Sequence, residues 1–172
     1  MRMSLRARSR RLIPRRFSAS GRFPGGFTVR AEKAPNARGI RRVLAKFTNN
    51  VHEFDAFLKK VETDQVKAIV FTGNYPSDWV TPELKRFVES KHGKFIVAIE
   101  TLANALTKNA DVTLPGATWA EKAGTFENVN NTLQAFERAI DPIDYCKSEA
   151  QLALDLVAAR EGTRPAAYNS HT

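Results

Sequence analysis

The stretch KFIVAIETLANALTKNADVTLP, residues 94–115, decides the fold. Phe95–Ile99 is a short apolar, β-branched run, and DVTLP at 111–115 is a second, shorter one that stops on proline. Apolar runs of this length, bounded by polar and turn residues, read as strands buried in a sheet. Between them, 101–109 has the length and composition of a short helix. A strand, a helix and a strand in that order predict two parallel neighbours joined by a crossover.

The same grammar extends outward. KAIVF, residues 67–71, is another β-branched run and reads as a fully buried strand. Thr81-Pro82-Glu83 marks a helix start. Threonine caps, proline fits the first turn because its missing N–H would have had no partner, and the acid suits the positive end of the helix. Leu84, Phe87 and Val88 then share one face, and His92-Gly93 ends the helix. Further upstream, Ile40, Val43 and Leu44 suggest a short helix face, and Val51, Phe54, Leu58 and Val61 follow helical spacing. A last helix is expected at roughly 147–160, carrying Leu152, Leu156 and Val157 plus flanking alanines. Strands alternating with amphipathic helices give the α/β class: a partial Rossmann-like, three-layer parallel sheet with flanking helices.

In such sheets ligands sit beyond the carboxyl ends of the strands. Three segments fall there: Gly73-Asn74-Tyr75-Pro76, Glu100-Thr101 and Pro115-Gly116-Ala117-Thr118. If the strands pair in sequence order, these segments share one rim. Gly73 leaves room for a close approach, Thr101 is expected to cap the following helix, and Pro115 ends its strand by withholding an N–H. Thr118 and Glu121 have capping-box spacing, which would place Gly124-Thr125-Phe126 beside the same edge.

Charge divides the chain. Residues 1–42 hold thirteen Lys/Arg and one acid, Glu32, whereas residues 43–172 hold 14 basic and 17 acidic residues. The net +9 therefore splits into +12 and −3. Residues 1–33 read as a basic arm or linker with no sustained period, 34–145 as the α/β domain, and 146–172 as a C-terminal helix and tail. The Arg- and Ser-rich start is also compatible with a transit peptide. Phe17, Phe23 and Phe27 interleaved with arginine suit single-stranded nucleic acid, yet no strand pattern would hold those rings on a platform. A single cysteine, Cys146, excludes an internal disulfide and any cysteine-held zinc or iron–sulfur site within this sequence. Its longest apolar runs are far short of a membrane span.

Reactive constellations are not apparent. His52, His92 and His171 lie far apart, none with metal-ligand spacing. His52, beside Glu53 and Asp55, reads as part of a solvated helix face, and His92 as a helix-end cation. Cys146 has no histidine nearby in sequence and reads as a small buried or part-exposed thiol. Trp119 reads as a packing residue. The expectation is no catalytic residue and no metal site in this chain.

The stretches KAIVFTGNYP, KFIVAIETLANALTKNADVTLPGATWAEKAGTFEN and VNNTLQAF resemble the large-subunit family of molybdopterin oxidoreductases, most of all the branch that serves as the G subunit of NADH–quinone oxidoreductase. Gly73, Asn74, Pro76, Thr101, Ala110, Asp111, Leu114, Pro115, Glu121, Gly124, Thr125 and Asn128 carry the likeness, and APNARG at 34–39 resembles a segment placed just upstream in that family. Family members continue into Glu-Gly-Arg where this chain has Asn130, Asn131 and Thr132. The resemblance implies one α/β domain of a longer oxidoreductase subunit. It implies that Gly73, Asn74, Pro76, Thr101, Gly124, Thr125 and Asn128 would line a cleft for molybdopterin guanine dinucleotide if one is bound. In the NADH–quinone oxidoreductase branch the cleft is usually vestigial, so the expectation is a scaffold in respiratory electron transfer with no cofactor in this chain. Iron–sulfur clusters would be carried on other domains. The implied partners are other subunits or domains of a respiratory complex, with the membrane reached only through them and no nucleic acid. The implied location is cytoplasmic, peripheral to the inner membrane, with mitochondrial-type targeting by residues 1–20 as the lesser alternative. Two other readings stay open: a cofactor-binding domain of a formate dehydrogenase-like enzyme, and a basic-tailed nucleic-acid-binding module.

Overall fold

Three short strands carry the sheet in the computed structural model, which describes residues 21–22, 28–29, 35–49, 51–63 and 66–168. They are β3 (Ala68–Thr72), β4 (Phe95–Glu100) and β5 (Val112–Pro115), in the order β3-β4-β5. Both pairings are parallel, with Val70 beside Val97 and Val97 beside Val112. Helix α3 (Pro82–Ser90) joins β3 to β4, and α4 (Ala105–Asn109) joins β4 to β5. Sequence order is therefore spatial order, as the alternating pattern predicts.

Upstream lie β1 (Gly21–Arg22) and β2 (Thr28–Val29), which pair antiparallel, then α1 (Ala37–Phe47) and α2 (Phe54–Thr63). The β1–β2 pair is a strand element inside the basic segment, where no alternating pattern announces one. The remainder of residues 1–33, with the arm, targeting and nucleic-acid readings placed there, lies outside the described residues, as does His171. Downstream come β6 (Gly124–Glu127) and β7 (Leu133–Phe136), a two-stranded sheet, and α5 (Glu149–Glu161). Contacts divide the chain into two units. One contains α1, α2 and residues 126–134; the other contains the three-stranded sheet, α3, α4 and α5.

In the sheet unit, Ile69 and Phe71 of β3 and Ile96 and Ala98 of β4 are buried. They share one face, because successive side chains alternate across a strand. Helix α3 covers that face with Leu84, Phe87 and Val88, all buried, and the Phe71 and Phe87 rings meet edge to face at 6.4 Å. Leu106 of α4 is fully buried. Val70, Phe95 and Val112 point the other way and remain exposed, while Ile99 at the end of β4 is buried on that side, so the second face is covered only toward the strand ends rather than throughout.

The caps follow the sequence in most places. Thr81 accepts from the Leu84 N–H at 3.2 Å, and Pro82 occupies the first turn. Lys91, His92 and Gly93 take left-handed conformations beyond α3, where the His92 ring stacks on Phe87. One cap differs: Asn104, not Thr101, caps α4, in a reciprocal box with Thr107, so that helix begins four residues later than the spacing suggests.

In the other unit α2 buries Phe54, Phe57, Leu58 and Val61, but Val51 precedes the helix and is exposed. His52 also precedes it and is half-buried rather than solvated. Helix α1 buries only Ala37, and Val43 is exposed. Among the described residues no helix is long and apolar enough to cross a membrane.

Candidate active-site rim at the strand ends

The three strands end level with one another. The Gly73 N–H donates to Ile99 O at 3.2 Å and the Gly116 N–H to Glu100 O at 3.0 Å, extending the ladder one step past β3 and β5. The turn after β3, the end of β4 and the turn after β5 thus form one rim.

Glu100 is its centre. The side chain is buried, with one oxygen accepting from the Trp79 indole N–H at 2.6 Å and the other from the Asn74 backbone N–H at 3.1 Å. Burial pushes its carboxyl above the ordinary value, against the pull of those two donors. Asn74, in a left-handed conformation, links the strands. Its Nδ2 donates to Glu149 at 2.8 Å, and its Oδ1 accepts from the Thr101 hydroxyl at 3.2 Å.

Glu149 reaches the rim from the first turn of α5, whose N-cap is Ser148. Lys122 Nζ sits 2.9 Å from one of its oxygens and 3.1 Å from the other. Burial is the largest single influence on Glu149 and works against its charge. Lys122, through charge and hydrogen bonding, together with the Glu149 backbone N–H and Asn74, outweighs it and holds the carboxyl below its ordinary value. The chain Trp79–Glu100–Asn74–Glu149–Lys122 is one connected polar network, with Thr101 and Thr72 as side branches.

The residues singled out in the sequence divide. Gly73, Asn74 and Thr101 meet at the rim, and Pro76 is exposed in the same turn. Gly124 and Thr125 are in β6, where a Cβ on Gly124 would lie 3.2 Å from the Phe136 ring. Asn128 belongs to the other unit and builds the β6–β7 turn, its Oδ1 accepting from the Asn130 and Thr132 N–H groups at 2.9 and 3.1 Å. The Thr118–Glu121 box is present, with the Thr118 N–H 2.7 Å from Glu121. Spacing gives no signal for Trp79, Lys122 and Glu149, which reach the rim from distant segments. Among the described residues no group of three or more His, Cys, Asp and Glu is placed to hold a metal.

The sequence is similar to parts of several oxidoreductase subunits. The chain is 28% identical over 143 residues to the NADH-quinone oxidoreductase G subunit of Streptomyces coelicolor, covering 76% of this chain and 16% of that protein. It is 35% identical over 81 residues to the F420-dependent formate dehydrogenase 1 subunit alpha of Methanococcus maripaludis, covering 45% of this chain and 12% of that one. It is 27% identical over 92 residues to a nitrate reductase of Symbiobacterium thermophilum, with 54% and 12% covered. The chain therefore spans between an eighth and a sixth of the length of these relatives. A family model described as molybdopterin oxidoreductase matches residues 26–159, well over half of the chain, and the chain belongs to that family.

Proposed function

We propose that this chain is a scaffold domain of a multi-subunit oxidoreductase, of the kind found in the G subunit of NADH-quinone oxidoreductase, with a strand-end rim closed by its own side chains. In this reading the three strands are part of a Rossmann-like sheet, and electrons pass through centres carried elsewhere. The observation that carries it is the filling of the two rim glycines. A Cβ on Gly73 would lie 2.1 Å from Glu100 Oε1 and 2.3 Å from Trp79 Nε1, and one on Gly116 would lie 2.2 Å from Asn74 Oδ1. The space that glycine leaves is occupied by protein.

The rim does not fit a pterin guanine dinucleotide. Such a cofactor brings a pyrophosphate, which βα turns hold on open backbone N–H groups. Here the Gly73 and Asn74 N–H groups already donate to Ile99 O and Glu100. An ionised carboxylate about 4 Å from a phosphate charge costs about 4 kcal/mol at an effective dielectric of 20. A helix N-terminus returns about 0.3–1 kcal/mol. Lys122, the one cation of the network, is engaged by Glu149.

Guanosine diphosphate, which carries the nucleotide end of the cofactor, tests this reading. Equilibrium dialysis against the full chain is expected to give no saturable binding up to about 1 mM, a binding energy near 4 kcal/mol. Saturable micromolar binding that Asn74→Ala abolishes would overturn it. That result would favour the second reading, a cofactor-binding domain of a formate dehydrogenase-like enzyme, for which the likeness to a formate dehydrogenase subunit speaks.

A further inference from the structure

The segment after the rim presents its apolar side chains outward. Residues 137–147 have no helix or long strand, yet the backbone is tied at three places. The Ala139 and Ile140 N–H groups donate to Ala120 O at 2.9 and 3.2 Å. The Ile143 N–H donates to Glu121 at 3.2 Å. The Lys147 N–H donates to Pro115 O at 3.2 Å, and Lys147 O accepts from the Ala117 N–H at 2.9 Å. The segment therefore runs along residues 115–121, its middle held by the carboxylate that also closes the Thr118 cap.

On this fixed backbone four large apolar residues stand in solvent: Trp119 at 69% exposure, Ile140 at 55%, Ile143 at 65% and Tyr145 at 86%. An irregular segment gains nothing from exposing such residues, and exposed apolar clusters mark interaction sites. Tryptophan and tyrosine are the residues that dominate protein interfaces, and a backbone held in place before docking reduces the entropy lost on binding.

Charge selects the class of partner. The segment carries Glu137, Asp141 and Asp144 against Arg138 and Lys147. Arg138 pairs with Asp141 at 2.8 Å and Lys147 with Asp155 at 2.6 Å. With three acids against two bases, and each cation already paired to an acid, the segment offers the phosphates of nucleic acid and of anionic lipid no cationic footing. The remaining class is protein. The matched part is at most 16% of the length of the related subunits, so most of such a polypeptide lies outside it.

We infer that Trp119, Ile140, Ile143 and Tyr145 form a docking surface for another polypeptide segment of the same oxidoreductase, apolar at its centre and bordered by basic residues. The surface adjoins the rim through the ties at Pro115 and Ala117 but shares no side chain with its polar network, and its partner class rests on the oxidoreductase reading rather than on whether the rim takes a cofactor.

The test places a photo-crosslinking phenylalanine at Trp119 in the full chain, expressed in its own host, and identifies the crosslinked peptides by mass spectrometry. Peptides of an oxidoreductase polypeptide are expected, with adduct yield falling about tenfold or more in the Ile143→Ser/Tyr145→Ser variant, the loss of one or more interface anchors. The thermal midpoint of that variant, purified alone, should stay within about 2 °C of the parent, because exposed substitutions scarcely change stability. Adducts only within the chain, with a second copy, with RNA or with lipid would overturn the inference. So would an unchanged adduct yield, or a large fall in the midpoint, which would make these side chains part of the fold.

Discussion

Helices α3 and α5 start alike and are held differently. Each opens on a hydroxyl cap, Thr81 or Ser148, and carries an acid in its first turn. Helix α3 buries Leu84, Phe87 and Val88 against the sheet. Helix α5 is longer, yet only Leu152 and Ala158 are buried, and Leu156 and Val157 are 60% and 51% exposed. Leu156 and Val157, apolar positions of the expected helix, thus lie outside the core. What α5 does hold firmly is its ends: Ser148 and Glu149 at the rim, and Gly162 in a left-handed cap. One helix is fixed by its face, and the other by its termini, one of which delivers Glu149 to the strand ends.

The largest expected effect lies in the packed helix. Leu84 is fully buried, so Leu84→Ala should cost about 2–5 kcal/mol in urea unfolding, from lost transfer energy and the cavity left behind. A loss under about 1 kcal/mol would mean that α3 is not fixed by its face.

Next comes the terminus of α5. Glu149 has its carboxyl held below the ordinary value, so its contribution is present above the usual carboxylate range and is lost as pH falls through its folded value. Lys122→Met leaves burial as the leading influence and should raise the carboxyl above its ordinary value. Stability would then fall, rather than rise, as pH rises past the ordinary carboxylate value, reversing the sign of the slope there. The cost near neutral pH should be on the order of 1–3 kcal/mol, that of a part-buried charge without its partner. An unchanged slope in pH-dependent unfolding would break the assignment. Glu100 already has this reversed sign, because burial raises its carboxyl. Glu100→Gln should therefore remove a stability loss that appears as pH rises past the ordinary carboxylate range.

How much of this was legible in the sequence depends on how far apart the partners are. The parallel strands followed from KAIVF, KFIVAI and DVTLP, and the Thr81 and Thr118–Glu121 caps from spacings of three residues. Thr101 and Asn104 are both competent caps. The choice went to Asn104 because the Thr101 hydroxyl is used by Asn74, a contact across 27 positions. Trp79 reaches Glu100 across 21 positions and Asn74 reaches Glu149 across 75, distances at which no local period carries a signal. The uneven burial of the two faces also escaped the pattern, since a β-branched run looks the same whether the second side of the sheet is fully or only partly covered. Trp119, read as a packing residue, stands in solvent instead, because burial of a large apolar residue depends on neighbours that its own sequence does not name.

The caps come third and should be alike in cost. Thr81→Ala and Ser148→Ala each remove an acceptor from a first-turn N–H, held at 3.2 Å in both cases, and each should cost about 0.5–2 kcal/mol. They should differ in one readout. Fraying the start of α5 loosens Glu149, so Ser148→Ala should shift the acid limb of the stability profile more than Thr81→Ala, which reaches that limb only through Glu83, an exposed carboxyl that its own backbone N–H and Thr81 hold below the ordinary value. Equal pH profiles would remove the link between the α5 terminus and the rim.

The smallest effect should come from the outer side of α5, where two terms nearly cancel. Val157 is about half exposed. Full burial of a valine side chain stabilises by about 1.5 kcal/mol, so truncating a half-covered one to alanine loses about 0.7 kcal/mol. Valine is also a poorer helix former than alanine, because its branched Cβ restricts rotamers against the preceding turn, and the exchange returns about 0.5 kcal/mol. Val157→Ala should therefore leave stability within about 0.5 kcal/mol of the parent in the same urea titration that registers the large loss at Leu84. If it costs 2 kcal/mol or more, the outer side of α5 is covered by protein, and the distinction between a helix held by its face and one held by its ends fails.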